Sequence, residues 1–566
     1  MVLIGMVTLL TACSPAQGGR SEESSTAQPA PEKNLIVAIQ RELDTFDTNV
    51  TGEVGSPVTG GANNIPLLAV DGLVRVVSGG QRILLLANEL PSDAKGTWVV
   101  NPDGTMDVTW KLRPNAKWHD GTPVTSADFQ FAHVLRRDRE AAIGQMPIGQ
   151  RIVRGVSTPD PLTFVQHFPE PSIAGIEGDS PLPKHILEPV YLQDKGAIRN
   201  HRFFTTEFIG TGPFKLTHWE PGAFMEFQRF DDYYRGPAKL NKIVFRFLGD
   251  PNTMAANILA EAVDVVLPVG IGVDIAVEIR DRWLAQGTGH QVRLDTRDGA
   301  ESLELMVDPV YARPVNGMTQ AAVRQALLQA INRQELKELM VGDLSDVALT
   351  FYHPDDENYV FVKEEINKYA FPYDPRRAQE LLTGAGWVKG TDGILVHQGS
   401  GERFDYNVQI RPGSGPLKQA SVLQGYWKAV GVALDIETLT PSTQADNKYV
   451  GTKPGASMIT ASGGNYYGRR LHTQAIPTVE NQWTGNNRGR FANPAVNDIL
   501  EKIPITINEQ ARGALHRQLL ALTMGVVFYH PFYWDVRPIL MLKGVTGPQL
   551  VAQTSTGNVW EWDYNK

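Results

Sequence analysis

Cys13 is the only cysteine in a chain of 566 residues. No intramolecular disulfide can therefore brace the fold, and no cysteine-based zinc site can be built. Whatever the chain folds into has to be held by buried apolar surface. At this length one core is too few, so two or three lobes are expected. The formal net charge of −9 comes without a basic patch, which argues against nucleic acid as a partner. Eleven Trp and sixteen Tyr suit a globular protein with a large aromatic-lined cavity. Past Ala12 no run of about twenty apolar residues occurs, so nothing downstream reads as a membrane span.

The place of Cys13 matters as much as its being alone. Met1 to Ala12 is short and apolar and ends in Leu10-Thr11-Ala12, with small residues at the cut, as in a secretory signal. Cysteine as the first mature residue resembles the bacterial lipobox, in which the thiol is lipidated and the chain is cut just before it. No Lys or Arg precedes the apolar run, a departure from the usual basic n-region. The reading is a signal peptide over 1–12 and lipid attachment at Cys13. The protein would then be exported and lipid-anchored to the cell envelope, on its periplasmic or extracellular face. Ser14 to Lys33 lacks apolar periodicity and is rich in Ser, Pro, Gly and Ala, so 13–33 reads as a disordered tether. As flexible coil it would reach roughly 25 Å, enough to hold a folded domain clear of lipid headgroups.

From Asn34 the grammar changes to a short apolar run of strand character, LIVAIQ. Asn101-Pro102-Asp103-Gly104 is a turn signal ahead of the alternating Met106 to Leu112, which together read as a hairpin. Thr125 opens a helix as N-cap, with Asp128 at N3. Met318 to Gly342 reads as two helices. Thr319 caps the first, with Val323, Leu327 and Ile331 on one face; Asn332 caps the second, with Glu335 completing a capping box. Asp374 caps another helix, with Pro375 at N1, Leu381 and Leu382 facing inward and Gly386 as its stop. Strands and helices alternate irregularly, which predicts α/β lobes with mixed sheets rather than a barrel of repeats.

Five stretches carry a family likeness. They are Trp110 to Thr125 (WKLRPNAKWHDGTPVT), Gly210 to Leu216 (GTGPFKL) with Trp219-Glu220-Pro221-Gly222, Lys242 to Arg246 with Ala262 to Val266, Val323 to Leu327 with Ala330 to Arg333, and Tyr373 to Trp387. In this order the chain resembles the extracytoplasmic solute-binding proteins of ABC importers, family 5, of the oligopeptide-, dipeptide- and nickel-binding type. The resemblance implies an α/β fold, a bilobed periplasmic-binding-protein-like clamp of type II with an extra subdomain. Mixed β-sheets would be flanked by helices about a two-crossing hinge. Lobe I would comprise 34–66, 205–293 and 525–566; the inserted subdomain 67–204; lobe II 294–524. The implied function is capture of a small-molecule ligand between the lobes, by a monomer, for delivery to ABC permease subunits, with no catalysis and no cofactor.

The residues themselves carry little chemistry. His119-Asp120 sits in a turn, and Asp231-Asp232 and Asp355-Asp356-Glu357 lack EF-hand spacing, so no metal site is expected. No GxSxG, P-loop or dinucleotide fingerprint occurs. Gly210-Thr211-Gly212 is not phosphate-binding, because Pro213 removes a backbone donor. Peptide-binding members of the family place an Asp in lobe II against the ligand's ammonium, which otherwise is costly to bury. The corresponding stretch here, Ser457 to Tyr467, contains no Asp or Glu. Asn465 then offers a neutral acceptor, or Glu53 in the loop 51–55 supplies the charge, or the ligand has no ammonium. Tyr466, Tyr467, Trp483, Asn486, Asn487 and Tyr529 offer rings and amides suited to peptide backbones or sugars. Arg469 and Arg470 could meet a carboxylate. An oligopeptide is the leading ligand, an oligosaccharide or other neutral polar solute its rival. A secreted hydrolase, or a surface module without a transporter, are the readings from other classes.

Overall fold

Two long strands, Gln291–Leu305 and Tyr529–Met541, organise the molecule. The computed structural model describes residues 32–46, 59–138, 140–141, 152–462, 470–550 and 554–565. Cys13 and the segment before Glu32 lie outside them, and residues 33–566 make one compact unit. The two long strands pair antiparallel over Gln291–Thr296 and Ala300–Glu304, with register shifts between Thr296 and Ala300 and between Glu301 and Ser302. All but two residues of YHPFYWDVRPILM are buried. A strand covered on both faces must be apolar nearly throughout, which is why this segment lacks clean alternation.

On one side of the shift, Val265–Val266 joins Leu540 and Met541, followed outward by Asn34–Ile39, Lys242–Phe247, Phe224–Arg229 and Phe214–Glu220. On the other, Ala456–Ser462 pairs with 299–305, followed by Asp405–Ile410 and Ala433–Thr438. The result is a mixed ten-stranded sheet whose two halves share only the two long strands. Each half has its own core. Leu35, Val37, Phe245 and Ile539 belong to one; Leu303, Trp387, Trp427 and Phe532 belong to the other. A second core, around Phe351, Tyr352, Leu519 and Tyr529, covers the opposite face of the second half.

A separate four-stranded antiparallel sheet holds the expected hairpin, Trp98–Val100 with Met106–Lys111, and packs Trp110, Phe129 and Phe164 in a core of its own. Two polar knots fasten it to the larger sheet. Asp71, at 1% exposure, accepts from the hydroxyls of Tyr233 and Tyr234 at 2.7 Å each and from Arg75 at 3.1 Å. His119 accepts at Nδ1 from the Gly210 N–H (3.0 Å) and meets the Gly212 carbonyl through Nε2 (3.0 Å). The chain passes so close here that a Cβ on Gly210 would lie 1.8 Å from the Ala69 carbonyl oxygen. Glycine is required at that point by contact, not by dihedral angle.

The helix ends follow the sequence with one correction. Thr125 and Asp128 form the capping box; Asn332 accepts from the Glu335 N–H, and Asp374 from that of Arg377. Thr319 does not cap the next helix. It closes the preceding turn, Val315–Met318, through its hydroxyl on the Val315 carbonyl (2.7 Å). The helix begins after Gln320, as Ala321–Gln329, so Ile331 is buried beyond its end. Pro314 starts the extra turn, and Thr319 is spent on it. Lys33 reaches Asp563 at 2.6 Å and Asn565 at 2.9 Å, so the first and last strands of the unit are tied together. Among the described residues no helix is long and apolar enough to cross a membrane.

Candidate ligand-binding cleft

Strand direction decides where the loops go. Asn34–Ile39, Lys242–Phe247 and Val265–Val266 run parallel to one another, so their carboxyl ends lie along one edge of their half-sheet. Val266 stands opposite Leu540, and Leu540 opposite Val292, so the chain leaving Val266 heads toward residues 294–296. In the other half, Asp405–Ile410, Ala433–Thr438 and Ala456–Ser462 are also parallel to one another, but run against the long strand. Their carboxyl edge ends with Ser462 opposite Gly299. Both sets of carboxyl-end loops therefore converge on the register shift between Thr296 and Ala300. Ligands of open α/β sheets bind at such edges. Anything seated here touches both halves of the sheet.

Charge in the second half gathers near the start of Ala456–Ser462, back from the register shift. Gln409, Ser457 and Glu304 stand side by side across three strands. Glu304, only 2% exposed, is held by Arg470 at 2.8 Å and by the Gly489 N–H at 2.8 Å. Arg411 lies two residues beyond Gln409, hence on the same face and one step nearer the cleft, and is exposed. Arg488, next to Gly489, is half-buried. Burial lowers the pKa of its guanidinium, and the charges of Arg470 and Arg411 act in the same direction, against the pull of Glu304. On the opposite face, Glu301 accepts from the Thr460 hydroxyl at 2.5 Å, its direct cross-strand neighbour. Among the described residues no group of three or more side chains could hold a metal ion.

The model of the bacterial extracellular solute-binding proteins, family 5 (middle), matches residues 90–470. The chain belongs to this family. A Brucella ovis protein named as an ABC transporter peptide-binding protein is 26% identical over 330 residues, 57% of this chain and 58% of that relative. Two solved structures share the fold. NikZ from Campylobacter jejuni in complex with Ni(L-His) superposes with a TM-score of 0.74 at 20% identity, covering 94% of this chain and 100% of NikZ. The oligopeptide-binding protein AppA from Bacillus subtilis, in complex with a nonapeptide, gives 0.72 at 17% identity, covering 95% and 100%. The bilobed clamp of the family-5 binding proteins is thus the fold of this chain.

Within that fold the residues singled out from the sequence fall into two groups. Cys13, Glu53, Asn465, Tyr466, Tyr467 and Arg469 lie outside the described residues. Trp483 is half-buried, with a left-handed φ of 62° and the Lys448 ammonium 5.8 Å from its ring centre. Tyr529 lies in the core at 1% exposure, its hydroxyl 2.6 Å from that of Ser302 and its ring against Phe351. Asn487 is buried and closes its own loop through Phe491, whereas Asn486 is exposed. Arg470 is committed to Glu304. Sequence reasoning passed over Glu301, Glu304, Arg411 and Arg488. The two carboxylates sit on the strand beside Ser457 to Tyr467 rather than within it, and only the strand register brings them there.

The family signature turns out to be mortar. His119 is buried between two glycine backbones, and burial pushes its pKa down to about 4. One constellation not visible in the sequence does look catalytic: Ser157 Oγ lies 2.9 Å from His167 Nε2, and His167 Nδ1 2.7 Å from Asp107. These three residues come from adjacent strands, with Asp107 directly opposite His167. Their side chains stand on the solvent face, opposite buried Met106, Val108 and Trp110, and those of His167 and Asp107 are 42% and 39% exposed. Nucleophilic catalysis also needs preorganised oxyanion donors and a site that excludes water. A polar ladder on an open sheet face supplies neither.

Proposed function

We propose that this protein captures an oligopeptide between its two lobes and delivers it to the permease of an ABC importer, without chemical conversion. The observation that carries this reading is the convergence of both sets of carboxyl-end loops on the two shared strands. A ligand there contacts both halves, and only such a ligand can shift the population toward a closed form. The hinge of this reading lies where the chain crosses between the lobes, near the register shift between Gln291–Leu305 and Tyr529–Met541. In this reading lobe I comprises 34–66, 205–293 and 525–566, the inserted subdomain 67–204, and lobe II 294–524. Trp483, with Asn465, Tyr466 and Tyr467, furnishes rings and amides for the ligand; Glu53 or Glu301 offers an acidic partner to an ammonium. The protein works as a monomer, exported and tethered by lipid on Cys13.

The charged lining supports a peptide over a neutral sugar, because Arg411, Arg488 and Glu301 would be poorly used by hydroxyls alone. Native mass spectrometry of residues 14–566, purified without refolding, tests the reading. A ladder of peptide masses is expected. A co-purified sugar would end the peptide reading, and substrate turnover on peptide or glycoside panels would end the receptor reading.

A further inference from the structure

The four-stranded subdomain is fastened to the first half of the large sheet by the buried knots at Asp71 and His119. It also reaches the second half, by contacts of a different kind. Its small hairpin, Val74–Val76 with Arg82–Leu84, packs Ile83 and Leu84 on the Trp110 core and carries Gly79 and Gly80 at its tip. Facing the tip is the loop 353–357, which leaves the Phe351 and Tyr352 core of the second half. The Gly79 N–H donates to the Asp355 carbonyl at 2.7 Å. Both glycines have left-handed φ, 75° and 71°, and a Cβ on Gly80 would lie 2.5 Å from that of Glu357. Arg82 gathers the rest. Its guanidinium donates to the carbonyls of Gly80 (2.8 Å) and Ile176 (3.2 Å) and stands 3.5 Å from the Glu357 carboxylate. The turn that it holds, Ile173–Ile176, comes within 8 Å, Cα to Cα, of Ile503–Ile505, a second point on the same half.

The two attachments differ in permanence. Asp71 is 1% exposed and takes three hydrogen bonds, whereas the side chains of Arg82 and Glu357 are 16% and 48% exposed. A partly exposed ion pair and a backbone hydrogen bond each shift an equilibrium constant a few-fold, enough to bias two states and too little to fuse them. The contact lies off the shared strands, so rotation of the halves about those strands has to break it. Loop 353–357 is also set from inside. The His353 ring meets that of Trp534 edge to face at 4.6 Å, and its Nδ1 accepts from the Asp355 N–H at 3.0 Å. Trp534 stands opposite Ala300, at the register shift.

We propose that Gly79, Arg82, Asp355 and Glu357 form a latch that holds the two halves of the empty protein together from outside the cleft. It rests on the receptor reading only for its use: a ligand adds to a closed population that the latch maintains, and a weaker latch lowers apparent affinity by the closed fraction it removes.

Residues 14–566 contain no cysteine, so spin labels can be placed at will. One goes at Leu192→Cys, 76% exposed on the helix Lys184–Gln193 of the first half, the other at Leu339→Cys, 46% exposed on the helix Arg333–Val341 of the second. Pulsed dipolar distances are read on dialysed protein that native mass spectrometry shows to be free of solute. The wild type is expected to give a short-distance population. Glu357→Lys sets a like charge against Arg82 and should lower the closed-to-open ratio about fivefold; raised salt should lower it in the wild type. Gly80→Ala acts by contact and should lower it about tenfold or more. Adding Glu357→Gly to Gly80→Ala clears the space and should bring the ratio back to that of Glu357→Gly alone. Backbone strain at residue 80 is the same with and without Glu357→Gly, so the recovery reports contact and not strain. The proposal falls if the wild type shows no short-distance population, if Glu357→Lys and Gly80→Ala leave the distances unchanged, or if the double variant stays as open as Gly80→Ala. A latch response in a protein that never co-purifies with a solute would keep the latch and remove the receptor reading.

Discussion

Lowering the pH should dismantle this protein over an unusually narrow range, because four histidines are buried as neutral rings. His119, His133, His516 and His530 are 9%, 8%, 1% and 0% exposed. Burial is the largest cause of lowering in each. It pushes the first three down to about 4 and His530 to about 3, from an ordinary value of 6.5. Neighbouring positive charges add to the effect: Lys215 at His119, Arg137 and Arg136 at His133, Arg512 at His516, Arg333 and Arg324 at His530. Because the folded pKa values lie below the unfolded ones, the unfolded chain takes up protons first as pH falls through 6.5. The stabilisation from neutral burial is complete above that value and is lost progressively below it, until the folded rings protonate near 4.

At pH 5.5 each ring costs on the order of 1 kcal/mol of stability, or roughly 5 kcal/mol for the four. That rivals the whole stability of an ordinary domain, about 5–15 kcal/mol. Buried Asp128 and Asp179, whose carboxyl pKa values are raised by burial, oppose the trend only as they begin to protonate in the folded state. Urea denaturation at pH 8, 7, 6 and 5.5 checks this. The expected slope between pH 6 and 5.5 is about three protons, roughly 4–5 kcal/mol per pH unit, and His530→Leu removes about one proton of it. A stability that stays flat from pH 7 to 5.5, or a slope unchanged in His530→Leu, would refute the reasoning.

Other substitutions test the architecture. Gly210→Ala drives a methyl group into the Ala69 carbonyl and should lower the urea midpoint sharply, by several kcal/mol, with Gly212→Ala close behind. Arg136→Met leaves Asp179 buried without its 2.7 Å partner and should cost about 3–5 kcal/mol by denaturant titration, more than Asp107→Asn on the open sheet face. Ser157→Ala should change neither stability nor ligand affinity, and the wild type should not label with an active-site phosphonate at Ser157; labelling there would reopen the hydrolase reading.

Much of the fold is legible in the sequence because it depends on local grammar. Asp374-Pro375 states a helix start, Asn101 to Gly104 a hairpin, and Thr125 with Asp128 a capping box, since each needs only residues a few positions apart. Thr319 misled for the same reason: its spacing suits an N-cap, and only the extra turn begun by Pro314 shows where the hydroxyl goes. The cleft is less readable. Glu301 meets Thr460, and Glu304 meets Ser457, through a register fixed by strands more than 150 residues apart. Composition pointed to Tyr529 as a ligand contact, but that strand runs through the centre of the sheet and buries the ring. His119, which invites a chemical role, is used up by two backbone contacts from the glycine loop 210–212.

The clasp between Lys33 and the Asp563–Asn565 segment has an engineering consequence. Chain ends held within a salt bridge of each other can be joined by a short Gly/Ser linker with little loss of geometry, and new ends opened in an exposed polar loop. A circular permutant cut at Thr391-Asp392, in the small hairpin between Trp387–Lys389 and Leu395–His397, would keep both shared strands intact. It would also place the new chain ends beside that hairpin, so that a sensor built from this protein could be immobilised from the half of the sheet that holds Asp405–Ile410.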